Sequence, residues 1–281
     1  MRLASRTDLP VLLPFRIGNA PTASSAWRPR AWHGLYLAGA LTIAAGVAEA
    51  QAAPGAPSIV ATLLKWTPLL ALGFLLNIAI SFIAMAIGTV FGTFLGLLQV
   101  SLLAPVRGFS WFVTQFFRNS PWLVLLFYCM LLLPFELLIG DTIVPLPGWL
   151  KATFGLSLPV MANVSELVRG AVRSIPLGQW ESSEALAFTR RQTLWMIILP
   201  QCITRMLPPW MNLYAILVVG TTLASVVGVN EAMTLTGDIL AAENRTELLV
   251  PIYLYLLLWF FAYCYPIARA TVALERRFQV R

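Results

Sequence analysis

The feature that most constrains this chain is a set of long segments that contain no charged side chain. The longest covers 66–106, which is 41 residues, and others cover 35–48, 119–135, 206–230 and 248–268. A bilayer core of about 30 Å requires about 20 apolar residues in a helix, so segments of this kind indicate membrane spans. The sequence therefore predicts an all-α integral membrane protein.

The composition supports this class and excludes others. Apolar residues make up 59% of the chain and charged residues 11%, against about 25% charged residues in soluble domains. The 19 basic residues lie between uncharged runs rather than in aromatic-interleaved patches, so we expect no nucleic-acid partner. A single histidine (His33) and three widely spaced cysteines predict neither a metal site nor a disulfide framework.

The distribution of charge predicts the orientation in the membrane. Loops rich in lysine and arginine stay in the cytoplasm. Basic segments alternate with acidic or neutral ones along the chain if 66–106 is one span. A turn near Gly92 would add a span and place the basic leader outside the cytoplasm. With a sixth span over 152–173, we predict six transmembrane helices in a bacterial inner membrane and both termini in the cytoplasm. The basic segments are 1–34, 107–118, 169–205 and 269–281, and the acidic or neutral ones are 49–65, 136–151 and 231–247.

The N-terminal region has two interpretations. A basic leader over 1–34 carries five arginines, and 35–65 contains an apolar run followed by small residues and prolines. The run is either a signal anchor retained as an extra span, at about 35–53, or a signal peptide cleaved after Ala48–Glu49–Ala50. The long leader favours the retained span with a periplasmic linker behind it.

The segment 174–205 is the most polar part of the second half and is predicted to be cytoplasmic. Pro176 suits the first turn of a short helix over about 179–188. Thr189 and Gln192 have the spacing of a capping box, which predicts the start of a second helix. Two short helices that meet at an angle would protrude from the bundle, either as a docking device or as a cover for lipid headgroups.

This segment resembles the E-A-A-x-x-x-G-x9-I-x-L-P loop of ABC-importer permeases, with two serines in place of the alanines and an alanine in place of the glycine. The matching residues are Glu181, Ser182, Ser183, Ala187, Ile197, Leu199 and Pro200. We expect Glu181 to Ala187 to form a short helix, on which Ser183 and Ala187 share a face because they are four residues apart.

Other motifs, in the same order, resemble the polar amino acid branch, which is related to histidine and glutamine permeases. The resemblance covers about residues 70–278. It rests on Phe117–Pro121, Glu166–Ala171, Ser174–Pro176, Gly178–Glu181, Thr221–Leu223, Val227–Glu231 and Leu274–Arg277.

The resemblance implies a five-helix permease core over 66–281, with a coupling loop at 174–205 that inserts into a groove of an ABC ATPase subunit. It also implies a second permease subunit, either a copy of this chain or a sister chain, and a periplasmic amino acid-binding protein. The family usually has lysine where this chain has Val219, which favours a sister chain. ATP and Mg²⁺ would belong to the ATPase, and this chain has no G-x-x-x-x-G-K-[ST] loop. We therefore expect no enzymatic activity and no cofactor in this chain itself.

Polar residues inside apolar segments are candidates for the translocation pathway. An intramembrane acid is a functional candidate by default, but Arg169 lies three residues after Glu166, which favours an ion pair over a substrate contact. The threonines can instead bond to a helix carbonyl four residues earlier. The candidates are Asn163, Glu166, Thr221 and Thr222.

Two further patterns predict helix packing. Gly88, Gly92 and Gly96 are spaced by four residues, as in helices that approach closely in lipid. Asn77 is a lone polar residue in the long run and is expected to form an interhelical hydrogen bond.

The alternative function is a self-sufficient secondary transporter or channel. That class requires paired intramembrane charges, and only Glu166 qualifies.

Overall fold

A computed structural model of the protein describes residues 31–51, 57–139 and 142–278. Most of the predicted basic leader and the last three residues of the chain lie outside the described residues. The helices, in chain order, are α1 (Ala31–Gln51), α2 (Ile59–Gln99), α3 (Ala104–Asn119), α4 (Trp122–Leu132), α5 (Gly148–Arg173), α6 (Leu177–Ala185), α7 (Arg190–Gln192), α8 (Leu199–Gly220), α9 (Ala232–Glu243) and α10 (Leu249–Phe278).

Helices α2 and α5 form the centre of the bundle. Most of the run predicted as one span, 66–99, lies in one unbroken helix, because α2 passes through Gly92 without a turn. The helix ends at Gln99, and the end of the predicted run, 104–106, already belongs to α3. Gly88, Gly92 and Gly96 face valines of α5. A Cβ atom on Gly92 would lie 2.5 Å from the carbonyl oxygen of Met161, and one on Gly96 would lie 2.7 Å from that of Ser165. The glycines therefore permit close backbone approach, as the spacing predicted.

The remaining helices pack around this pair. The main core joins α2 and α5 to residues of α4 and α8. A second cluster joins Ala45 and Ala48 of α1 to α2, α9 and α10. This arrangement surrounds α5 with protein, so a helix that carries Lys151, Glu166 and Arg169 is central rather than exposed to lipid.

Length and composition separate three helical stretches from the others. Among the described residues, Ile59–Gln99, Arg190–Val227 and Thr246–Phe278 are each long and apolar enough to cross a membrane. Gly34–Ala50 and Trp122–Leu132 are shorter apolar helices. The count of six spans therefore remains a prediction.

Three segments differ from their predicted form. The predicted loop 136–151 contains an antiparallel hairpin of β1 (Glu136–Ile139) and β2 (Thr142–Pro145), and its end is the first turn of α5. The predicted basic loop 107–118 is part of α3. The predicted acidic loop 231–247 is mostly α9.

Charge counting missed α9, in which two acids lie at the helix ends and Asp238 lies between them. Glu231 precedes the first turn and accepts hydrogen bonds from the backbone N–H groups of Met233 and Thr234, at 2.9 and 3.1 Å. Glu243 is the last residue of the helix. Since Asp and Glu at a helix start cap the free N–H groups, the same charges that suggested a loop stabilise a helix.

The predicted span 206–230 is also displaced. Helix α8 already begins at Leu199 and ends at Gly220, and a 3₁₀ helix continues from Thr221 to Val227.

Candidate functional site

The segment 174–205 forms two short helices before α8, as predicted. Pro176 precedes the first turn of α6. The capping box before α7 is present: the N–H of Gln192 donates to Thr189 Oγ1 at 3.3 Å, and the N–H of Thr189 donates to Gln192 Oε1 at 2.9 Å. A π-helical segment, Thr193–Ile198, then joins α7 to α8.

The end of α6 corrects the prediction of one helix from Glu181 to Ala187. The helix ends at Ala185, and Ala187 has a φ of 60°, in the left-handed region. The N–H of Phe188 donates to the carbonyl of Ser183 at 3.0 Å, and the N–H of Ala187 donates to that of Glu184 at 2.9 Å. This is the Schellman ending, in which glycine is favoured at the left-handed residue. The glycine of the family pattern therefore has a backbone role at this position.

Ala187→Gly should stabilise the end of α6 by about 1 kcal/mol, because glycine has no Cβ penalty at a left-handed φ. Amide hydrogen exchange of Phe188 and its neighbours measures the effect as slower exchange. Ala185→Gly, at the last residue of the same helix, is the matched control and should destabilise the helix by up to about 1 kcal/mol. Equal effects of the two substitutions would contradict the left-handed ending.

The same ending changes which side chains face outward. Ser183 is buried, with 1% exposure, and donates to the Gln179 carbonyl at 2.6 Å. It therefore does not share an outer face with Ala187, contrary to the prediction. Ser182 and Ala187 are exposed, and Leu186 is 69% exposed.

The C-terminal part of the loop motif anchors the loop to the bundle. Ile197 and Leu199 are half-buried and pack against a cluster that contains Ala171, Val172 and Ile198. Pro200 is exposed in the first turn of α8. This part of the motif therefore holds α6 and α7 against the end of α5.

Glu166 forms the ion pair that its spacing predicted. Its carboxylate accepts hydrogen bonds from Arg169 Nε, at 3.2 and 3.3 Å to the two oxygens. Two partners were not foreseen: Gln115 Nε2 donates to Oε1 at 3.2 Å, and Arg118 Nη1 lies 3.7 Å from Oε2. Arg118 belongs to the Phe117–Pro121 motif, so that motif was the one sequence feature that could have pointed to Arg118 as a functional residue.

A double-mutant cycle should detect this pair. Glu166→Gln and Arg169→Gln should each lower the melting temperature, and the double variant should be no worse than the worse single variant. The expected coupling free energy is about 0.5–3 kcal/mol, as for residues in direct contact. Glu166→Gln combined with Arg277→Gln is the control and should be additive. Strict additivity of the Glu166 and Arg169 losses would argue against the pair.

Asn77 joins three elements in a buried network, which confirms its predicted interhelical role. Its Nδ2 donates to Thr221 Oγ1 at 2.9 Å and to Glu231 Oε2 at 2.8 Å, and its Oδ1 accepts from the N–H of Ala232 at 3.1 Å. All three side chains are fully buried. Nothing in the charge pattern indicated that Glu231 is buried, although it ends the Val227–Glu231 motif.

The four pathway candidates lie at two levels of the bundle. Asn163 donates to the Pro159 carbonyl at 2.8 Å, and Thr222 to that of Val219 at 2.9 Å. Thr221 also bonds three residues back rather than four, because it begins a 3₁₀ turn.

Contacts at two points along helix α2 show how far apart these two levels are. Asn77 contacts Thr221, whereas Gln99 contacts Ser165, the neighbour of Glu166, at 2.6 Å. These two α2 residues are about 33 Å apart at 1.5 Å per residue. The Thr221 and Glu166 levels therefore do not form one site.

Comparison with known proteins identifies the family. Residues 88–280 match the family described as binding-protein-dependent transport system inner membrane component. The chain belongs to this family. It is therefore a permease subunit of a binding-protein-dependent transport system, and the alternative of a self-sufficient secondary transporter or channel was wrong.

Relatives and a solved structure agree with this membership. The permease is 31% identical over 211 residues to the L-cystine transport system permease protein TcyB of Bacillus subtilis, covering 75% of this chain and 86% of TcyB. It is 35% identical over 157 residues to the probable amino-acid ABC transporter permease protein YckA of the same organism, covering 56% of this chain and 67% of YckA. A crystal structure of an amino acid ABC transporter with histidines shares the fold, with a TM-score of 0.66 at 22% identity, covering 76% and 96% of the two chains.

In the part of the chain that the structure describes, no group of three or more His, Cys, Asp or Glu side chains has a metal-binding arrangement.

Proposed function

We propose that this permease carries a polar amino acid into the cytoplasm, driven by ATP that a separate ATPase subunit hydrolyses. The observation that carries the proposal is the loop 174–205, whose inner side packs on α5 while Leu186 and Ala187 stay exposed. TcyB is an L-cystine transport system permease and YckA a probable amino-acid permease, which supports an amino acid as the substrate.

The proposed assembly contains two permease subunits, two ATPase subunits and a periplasmic binding protein. The second permease is a sister chain or a copy of this one. ATP and Mg²⁺ bind the ATPase. The docking surface comprises Glu181, Ser182, Leu186 and Ala187, with Ile197, Leu199 and Pro200 as its anchor.

Movement of the anchored loop reaches α5 directly, because the loop packs on Ala171 and Val172 near the end of that helix. Glu166 and Asn163 lie on the same helix. We therefore retain these two residues as pathway candidates and give Thr221 a structural role in the Asn77 network. Thr222 remains a weaker candidate.

Transport in reconstituted vesicles that enclose ATP, with the binding protein outside, tests the mechanism. Uptake of a labelled polar amino acid, in the presence of the binding protein and ATPase, should stop when ATP is removed. It should continue when ionophores collapse the ion gradients. Uptake that follows the gradients instead would contradict the proposal.

We also propose six spans, with the N-terminus in the cytoplasm and α1 retained. Packing of Ala45 and Ala48 on α10 supports this, as does Glu49 Oε2, which accepts a hydrogen bond from the Ile59 N–H at 3.1 Å. N-terminal sequencing of membrane-extracted protein should find a start upstream of Leu35. A mature start at Gln51 or Ala52 would instead support a cleaved signal peptide.

A further inference from the structure

A large pocket opens where the central helices meet the loop 174–205. Its volume is about 1080 Å³. The last turns of α2 form one wall, the end of α5 forms a second, and α6, α7 and the π-helical segment form the third. The pocket therefore lies between the transmembrane bundle and the proposed docking loop.

Positive charge dominates the polar part of this pocket. Four arginines and no carboxylate line it, and in the described ranges none of the four forms an ion pair with Asp or Glu. Two of them make only single, long bonds to backbone carbonyls, at 3.3 Å and 3.5 Å. Since a guanidinium has five N–H donors, most donors remain available. The arginines are Arg107, Arg173, Arg190 and Arg191.

The rest of the pocket is apolar and aromatic. Phe94 and Leu98 of α2 line it together with Leu194 and Trp195 of the π-helical segment. Phe94 is 63% exposed and Trp195 is 58% exposed. A ligand that covers these side chains needs a hydrocarbon part as well as an anionic part.

We propose that this pocket binds an anionic phospholipid of the cytoplasmic leaflet. The arginines hold the phosphate, for which the guanidinium fork has the matching geometry. The acyl chains cover Phe94 and Leu98. Basic pockets between helices at the cytoplasmic side are suited to such headgroups, and tryptophans are enriched at that depth. The site depends on the proposed orientation only for the choice of leaflet.

The charge of the pocket and its apolar wall favour an anionic lipid over a zwitterionic lipid or free phosphate. A zwitterionic lipid brings its own cation toward four arginines, so its headgroup is the weaker fit. Free phosphate satisfies the arginines but leaves the apolar wall uncovered. An anionic lipid satisfies both, and because it contacts α2, α5 and the loop at once, it links the docking loop to the bundle.

Lipid binding to the purified full chain tests this proposal without any transport assay. Native mass spectrometry with added phosphatidylglycerol or phosphatidylcholine measures the retained lipid. The wild-type chain should prefer phosphatidylglycerol. Arg107→Gln combined with Arg173→Gln should weaken its binding about 30-fold, which corresponds to about 2 kcal/mol for two interfacial charges.

Two variant pairs serve as controls. Arg107→Lys with Arg173→Lys keeps the charge but not the guanidinium fork, so it should bind more weakly than the wild type and more tightly than the glutamine pair. Arg276→Gln with Arg277→Gln removes two exposed arginines outside the pocket and should bind as the wild type does. The melting temperature of each variant shows whether the fold is kept. If the glutamine pair does not fold, the weaker phosphatidylglycerol binding expected of the lysine pair provides the test.

Four results would overturn the proposal. The first is equal retention of the two lipids by the wild type, and the second is undiminished phosphatidylglycerol binding by the glutamine pair. The third is a loss of binding in the lysine pair equal to that in the glutamine pair. The fourth is release of the lipid when the ATPase subunit binds. Displacement of phosphatidylglycerol by millimolar inorganic phosphate would replace the lipid site with a phosphate site. Failure of ATP-driven transport alone leaves the lipid result unchanged, so the two proposals are tested separately.

Discussion

Ala187→Arg should uncouple transport from ATP hydrolysis while the chain still inserts into the membrane. Ala187 is exposed next to Leu186, and alanine and arginine have the same Cβ penalty at its left-handed φ. The substitution therefore leaves α6 intact but places an unpaired charge in the proposed ATPase groove. Such burial costs about 2–5 kcal/mol, or about 30- to 5,000-fold in affinity.

Stimulation of ATPase activity by the binding protein is the measurement. Ala187→Gly is the control and should keep full stimulation, because it removes only a methyl group and relieves the backbone. If Ala187→Arg assembles with the ATPase and retains full stimulation and transport, the docking role of this loop is wrong.

Gly92→Ala should destabilise the bundle by about 1–3 kcal/mol, the usual cost of overpacking a tight interface. The new Cβ would lie 2.5 Å from the Met161 carbonyl oxygen and 2.7 Å from Val164 Cβ. Because the first of these atoms belongs to the backbone, no rotamer change relieves the clash, and α2 must move away from α5. Thermal unfolding in detergent measures the loss.

Gly39→Ala in α1 is the matched control. No atom lies within 4 Å of its added Cβ, so the substitution should be neutral or should stabilise the helix by up to about 1 kcal/mol. Both substitutions add one methyl group to a helical glycine. The difference between their effects on stability therefore separates the cost of the helix contact from the gain in helix propensity. A Gly92→Ala variant as stable as Gly39→Ala would exclude close packing of α2 on α5.

The loop 174–205, the proposed docking loop, shows how far a motif predicts local structure. The capping box at Thr189 and Gln192 was predicted correctly, because both of its hydrogen bonds are local. The shared face of Ser183 and Ala187 was wrong, because the chain leaves the helix between them. A helix ending of this type can be predicted from the sequence when glycine occupies the left-handed position, but here alanine occupies it.

The sequence by itself determined the membrane class, the continuous helix through Gly92, the glycine packing face and the Glu166–Arg169 pair. Each depends on composition or on spacing along one helix, which local geometry fixes. Tertiary structure alone decided the partners that come from distant parts of the chain: Arg118 beside Glu166, and Asn77 beside Glu231 across 154 residues. It also decided that α5, despite its charges, is central, since surrounding helices shield it from lipid. Hydropathy measures what a segment prefers in isolation, whereas burial depends on which other helices pack against it.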